Sequence, residues 1–292
     1  MAPPSQQSFE SHLQSLGPRF DAEVLQATRA LYKPHLDLSP AGEEHTDLVY
    51  GMHERHRLDV YSAPGGARGI VIFVHGGGFV AGDKNGDGTF YANVGRWLAR
   101  EGFTAVLPNY RLAPSHTWPA GAEDVNAVVT WTRQHLATGR DAQVPLVLWG
   151  QSAGANHVAT WLFDRRQSGP ADHKILSAVM LMNGLYEVRA PLPAGPAAYF
   201  GEDVRTYADR SPLAHVSPVD VPLWLSISEL DPDWLATQTY ALARAITLAQ
   251  GRSPHFHYFS RHNHVSTVQS IGSPHTSAAQ ALLGFLSALP PR

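Results

Sequence analysis

Residues 145–162 read Pro145-Leu146-Val147-Leu148-Trp149-Gly150-Gln151-Ser152-Ala153-Gly154-Ala155-Asn156-His157-Val158-Ala159-Thr160-Trp161-Leu162. An apolar run enters a Gly-x-Ser-x-Gly pentapeptide and a helix-compatible run leaves it. A strand–turn–helix order of this kind holds the central serine up as a nucleophile. The turn must be very tight, so Cβ atoms at Gly150 or Gly154 would crowd the strand and helix it joins. Five common residues recur by chance, and the pentapeptide alone decides little. Weight comes from a second motif, His75-Gly76-Gly77-Gly78, which follows the apolar run Ile70-Val71-Ile72-Phe73-Val74. Three consecutive glycines let a loop turn its backbone N–H groups into a cavity, as the oxyanion of a tetrahedral intermediate requires. The N–H of Ala153, next after the serine, is the expected partner donor to those of Gly77 and Gly78. A dinucleotide or phosphate cradle would show Gly-x-Gly-x-x-Gly opening a helix, or a Lys-Ser/Thr pair. Phe79-Val80-Ala81-Gly82 follow here instead.

Working outward, apolar runs at 57–61, 70–74, 103–107, 146–149, 178–182, 223–227 and 255–259 read as strands. The middle five are almost continuously apolar, as parallel strands covered on both faces are. Between them, 91–100, 123–136, 234–249 and 278–289 carry helical periodicity. Strand alternating with helix predicts an α/β fold with a mostly parallel sheet and right-handed crossovers. Two segments break the alternation: 1–45, with a weak helical pattern (Phe9, Leu13, Leu16, Phe20), and 185–220, rich in Pro, Gly and Ala.

The chain has 292 residues, which fit one large α/β domain, 1–292. With 43% apolar and 16% charged residues it can bury a substantial core. The net charge of −3, without a basic tract, argues against nucleic acid and against an anionic membrane surface as partners. There is no cysteine, which removes disulfides and thiolate chemistry. The N-terminus lacks a basic stretch followed by an apolar one, and no run approaches the roughly 20 apolar residues of a membrane span. A cytoplasmic location is the expectation. Sixteen histidines raise the question of a metal, but His53 and His56 have no second set of ligands behind them, and His262-x-His264 alone would bind weakly. No metal and no cofactor are expected. A homodimer is left open.

Asn109-Tyr110-Arg111-Leu112-Ala113-Pro114, Trp118-Pro119-Ala120 and Glu123-Asp124-Val125 lie between the two motifs, and Asp231-Pro232 lies beyond them. With His75-Gly76-Gly77-Gly78-Phe79 and the serine pentapeptide, this set resembles the hormone-sensitive-lipase-like carboxylesterases of the α/β-hydrolase superfamily, over roughly residues 56–285. The chain departs from that pattern at Gln151, where Asp is usual, at Ala155, where Gly is usual, and in lacking His-Gly-Phe around the histidine. These departures lean toward the kynurenine-formamidase-like and small carboxylesterase branches, and bear on substrate rather than chemistry. The resemblance implies an α/β-hydrolase fold in which 1–45 and 185–220 form a cap. It also implies cleavage of small esters with short acyl groups.

In this fold the chain order is Ser, then Asp or Glu, then His. The resemblance points to Asp231 as the acid, and Pro232 would hold Asp231 extended at the strand end. Glu229 is the main rival, and Asp233 suits the start of the next helix. Two histidines, His262 and His264, compete as base in the loop after the last strand; His264, followed by an apolar residue, matches the resembled family better. His75 is expected to hold the glycine loop rather than act as base. Phe79, Trp118 and Trp161 are candidates for the pocket wall. Small-molecule esters are the expected partners, with arylformamidase-type amide hydrolysis, or a catalytically silent binding protein on the same fold, as alternatives.

Overall fold

A computed structural model describes residues 4–291 of the chain; residues 1–3 and 292, the ends of the expected single domain, lie outside it. The elements follow in the order α1 (Gln6–Leu16), α2 (Ala22–Tyr32), β1 (Glu44–Val49), β2 (Arg57–Tyr61), β3 (Gly69–Val74), α3 (Ala92–Arg100), β4 (Phe103–Pro108), α4 (Ala120–His135), β5 (Leu146–Gln151), α5 (Ala153–Phe163), α6 (Pro170–His173), β6 (Ala178–Met182), α7 (Ala194–Phe200), β7 (Leu223–Leu230), α8 (Asp233–Gln250), β8 (His255–Asn263), α9 (Ser266–Gln269) and α10 (Ser277–Ser287). The sheet order is β1-β2-β4-β3-β5-β6-β7-β8. β1 and β2 pair antiparallel at one edge, and every pairing from β4 to β8 is parallel.

The continuous apolar runs are explained by burial on both faces. Ile70, Ile72 and Val74 of β3 point into a core shared with α4, α5 and α8. Val71 and Phe73 point the other way, into a core shared with α3 and α10. β5 repeats the alternation, with Leu146 and Leu148 on the first face and Val147 and Trp149 on the second. A strand of period two, apolar at every position, must have a layer on each side.

All seven expected strands form, several longer than read. The short edge strand β1 was not expected, because its Glu44-His45-Thr46-Asp47-Leu48-Val49 alternates too weakly to stand out. Both segments outside the alternation contain helices. Residues 6–32 form α1 and α2, each opened by a side chain that accepts a backbone N–H: Ser5 from Ser8 and Asp21 from Val24. The 185–220 segment contains α7 and two short 3₁₀ turns.

Register brings the motifs together. Val74 lies opposite Gly150, so the His75 loop and Ser152 leave the same carboxyl edge on neighbouring strands. Leu230 lies opposite Asn263, which sets Asp231 and His264 side by side two strands away. No helix among the described residues is long and apolar enough to cross a membrane.

Candidate active site

Ser152 stands between β5 and α5 with φ 55° and ψ −120°, a strained conformation for a residue with a side chain. The turn is tight enough that a Cβ on Gly154 would come 2.1 Å from the Val74 carbonyl oxygen, and one on Gly150 would come 2.5 Å from that of Gly154. Gly154 is therefore what allows α5 to rise directly behind the serine. Ala153 is the first residue of α5, so its N–H has no carbonyl within the helix to bond.

The structure brings Ser152, His264 and Asp231 into one line. Ser152 Oγ lies 2.8 Å from His264 Nε2, and His264 Nδ1 lies 2.7 Å from Asp231 Oδ1. A carboxylate only accepts, so Nδ1 carries the proton and Nε2 is free to accept from the serine hydroxyl. Asp231 Oδ2 takes the Ser228 N–H at 2.9 Å, which fixes the second oxygen. Histidine and aspartate are both buried, and the Phe20 ring lies 4.2 Å from the imidazole.

The rival residues have other partners. Glu229 faces outward, taking the Arg261 N–H at 2.7 Å and the Ser260 hydroxyl at 2.9 Å; the Arg261 N–H holds its carboxyl below the ordinary range. β7 ends at Leu230, so Glu229 is still within the strand while Asp231 lies beyond its end. The register irregularity falls on β8, where four steps from Phe259 to Asn263 face two from Ser228 to Leu230. Asp233 accepts the Trp234 N–H at the start of α8. His262 sits between the hydroxyls of Ser266 and Ser277 at 2.9 and 2.8 Å and stacks on His275. Burial, and the neighbouring His275, push its pKa down to about 3.

The glycine loop turns beneath the serine. Gly77 has φ 147°, and a Cβ there would meet the Ala81 carbonyl oxygen at 1.9 Å; Gly78 and Phe79 also have positive φ. The Phe79 ring stacks on Tyr199 at 4.8 Å, and burial of that pair offsets the backbone strain. His75 Nδ1–H donates to the Gly76 carbonyl at 2.6 Å, and its ring stacks on Tyr110 at 4.4 Å. Burial lowers its pKa to about 4. His75 therefore sits as a neutral prop under the loop. Gln151, the residue that departs from the resembled pattern, donates from Nε2 to the His264 carbonyl at 3.1 Å.

A cavity of about 840 Å³ opens over these groups. Phe79 is in its wall, as expected. Trp118 and Trp161 are not. Trp161 is fully buried on the far side of α5, its indole N–H given to Asn126 Oδ1 at 3.1 Å. Trp118 lies under the guanidinium groups of Arg166 and Arg210, 5.4 and 5.5 Å from its ring centre. In both cases sequence proximity to a motif misled, since a helix or loop carries successive side chains in different directions. The wall holds residues no motif indicated: Phe20, Leu25 and Arg29 from the N-terminal segment, and Leu185, Pro193 and Trp234 from beyond β6. The signal available in the sequence was the surplus of apolar residues in segments with no place in the sheet. No group of three or more metal-binding side chains occurs among the described residues.

This arrangement is that of the α/β-hydrolase fold. The chain's neighbours in structure include an esterase from the bacterial hormone-sensitive lipase family, with a TM-score of 0.72 and 20% identity over 98% of both chains. In sequence, a family model described as BD-FAE matches residues 58–167, from β2 through α5, a span that holds the glycine loop and Ser152. The carboxylic ester hydrolase LipN of Mycobacterium tuberculosis (strain ATCC 25618 / H37Rv) is 36% identical over 95 residues, 32% of this chain and 24% of that protein. The gibberellin receptor GID1 of Oryza sativa subsp. japonica is 33% identical over 96 residues, 31% of this chain and 27% of that protein. The chain thus spans about a quarter of the length of these curated relatives. It is an α/β-hydrolase by fold and, over part of its length, is similar in sequence to a carboxylic ester hydrolase.

Proposed function

We propose that the protein is a carboxylesterase-type serine hydrolase that cleaves small carboxylic esters through an acyl-enzyme. The observation that carries this reading is the Ser152–His264–Asp231 line, with hydrogen-bond distances of 2.8 and 2.7 Å, at the head of α5. Ser152 attacks the ester carbonyl while His264 Nε2 takes its proton. Asp231 holds the imidazole in the required tautomer and stabilises the imidazolium. Backbone N–H groups of Gly77, Gly78 and Ala153 receive the oxyanion; in a measured case one such donor contributes about 2.7–4 kcal/mol. His264 then gives its proton to the leaving alcohol, and water repeats the cycle on the acyl-serine.

In this reading the N-terminal segment and the 185–220 segment act as a cap. Its support is that Phe20 and Leu185 both reach the cavity wall. Covering the reacting atoms keeps water from all but the deacylation step.

The similarity to a gibberellin receptor favours one second reading, a ligand-binding protein on the same fold. A panel of p-nitrophenyl esters and an N-formyl arylamine, assayed with wild type and Ser152→Ala, separates the possibilities. Ester turnover lost on Ser152→Ala supports the esterase. Faster cleavage of the formamide would replace it with an amidase, and no turnover of either substrate would favour the receptor.

A further inference from the structure

A second groove adjoins the cavity over Ser152. Leu185, Pro193 and Trp234 line both that cavity and the neighbouring groove of about 700 Å³, so the two spaces meet across these three side chains. Trp234, in the first turn of α8, stands at the junction with 37% of its surface exposed. The groove runs on along α8 to Ala241, roughly 10 Å further by helical rise.

The polar side chains in the groove are already paired. Gln238 Oε1 accepts the N–H groups of Tyr186 and Glu187 at 2.7 and 2.8 Å, and its Nε2 donates to the Trp234 carbonyl at 2.9 Å. The Thr237 hydroxyl donates to the Asp233 carbonyl, and Arg189 pairs with Glu187. A sugar or phosphate would have to compete with these bonds. What the groove offers freely is the indole face and apolar wall, including Leu192.

We propose that this groove holds an extended apolar arm of the ester, lying on Trp234, and that it makes the site selective for esters longer than the short acyl compounds expected from the sequence. The inference rests on the esterase reading. Its occupant follows from adjacency to the cavity that holds Ser152: an arm attached to the reacting carbonyl reaches the groove by passing the three side chains that line both.

The arm could be acyl or alcohol, and two substrate series distinguish them: p-nitrophenyl acetate against p-nitrophenyl decanoate, and ethyl acetate against decyl acetate. Ala241→Trp fills the groove far from Ser152, and Trp234→Ala removes the platform. In one series both variants should lower the long-to-short ratio of kcat/KM by about tenfold, the scale set by one or two buried methylenes. Turnover with an unchanged ratio in both series overturns the groove assignment alone. No turnover of any ester by wild type overturns the esterase reading, and the groove assignment with it.

Discussion

Ser152 is held at φ 55° by a turn that leaves no room for a Cβ on either flanking glycine, and that strain is useful only if the hydroxyl it presents is used. Ser152→Ala should fold normally and lose ester turnover by roughly 10⁶ in kcat, the loss seen when such a unit is broken. Retention of a tenth of the wild-type rate by the folded variant would remove Ser152 from the mechanism. The acid can be tested against its rival. Asp231→Asn keeps the volume but lets Nδ1 become the acceptor, which favours the wrong tautomer and should cost on the order of 10⁴ in kcat. Glu229→Gln alters outward bonds to Ser260, Arg261 and Gln14 and should change kcat by far less. The reverse order of effects would exchange the two assignments. The serine and glycine loop were legible because both motifs are local, each closing a strand of unmistakable character. The proposed acid and base were not uniquely legible. Asp231 is separated from Glu229 by where β7 ends, and His264 from His262 by an irregularity on β8 between Phe259 and Asn263; no local pattern announces either.

At the scale of elements, the N-terminal pair α1–α2 is bound to the loop that carries His264. Thr28 Oγ1 accepts from Asn263 Nδ2 at 2.9 Å, and Asn263 Oδ1 takes the Ser266 N–H at 2.9 Å. Tyr32 meets His275 Nδ1 at 2.7 Å, and Arg261 pairs with Glu10. These contacts place Phe20 against the imidazole. Phe20→Ala opens the site to water and unpacks that ring. It should lower kcat/KM on esters several-fold while leaving the urea midpoint nearly unchanged, because the side chain is only partly buried. Kinetics equal to wild type would deny the segment a role in the site. Trp161 supplies the contrasting case. Fully buried behind α5, it should respond to Trp161→Ala with about 3–5 kcal/mol of lost stability and no shift in acyl preference. Changed substrate selectivity, with stability intact, would return it to the pocket. The sequence marked these N-terminal residues as apolar and unplaced. Which strand ends they cover is a matter of long-range packing, and periodicity within one helix carries no information about it.

The whole molecule buries several histidines as neutral bases, and this sets how its stability responds to acid. Burial lowers the pKa of His157 and of His262 from 6.5 to about 3, and that of His75 to about 4. The unfolded chain takes up protons at all three near 6.5, whereas the folded chain does not until far lower. Between about 6.5 and 4 the unfolded state therefore binds more protons, and folding stability must fall as pH falls. Each such histidine contributes a slope of at most about 1.4 kcal/mol per pH unit. A carboxylate acts in a lower window. Asp87 feels an upward push from burial, but the N–H groups of Phe90 and Thr89, with Lys33 and Arg29, hold its pKa at about 2. Its contribution is lost only as pH drops from 3.8 toward 2. Urea unfolding from pH 7 down to about 5 should thus show a steadily falling midpoint, with carboxylates held low in the fold, Glu229 among them, adding to the fall at lower pH. His157 is the histidine to replace, because Phe79, Tyr110 and Tyr199 ring it edge-on and neither ring nitrogen has a hydrogen-bond partner among the described residues. His157→Phe suits that aromatic surrounding and should flatten the midpoint's dependence on pH between 6.5 and 4, while gaining stability at the acid end. A wild-type midpoint that stays level from pH 7 to 4, or a variant with the same slope as wild type, would mean that these imidazoles take up protons in the folded state and are not sealed in the core.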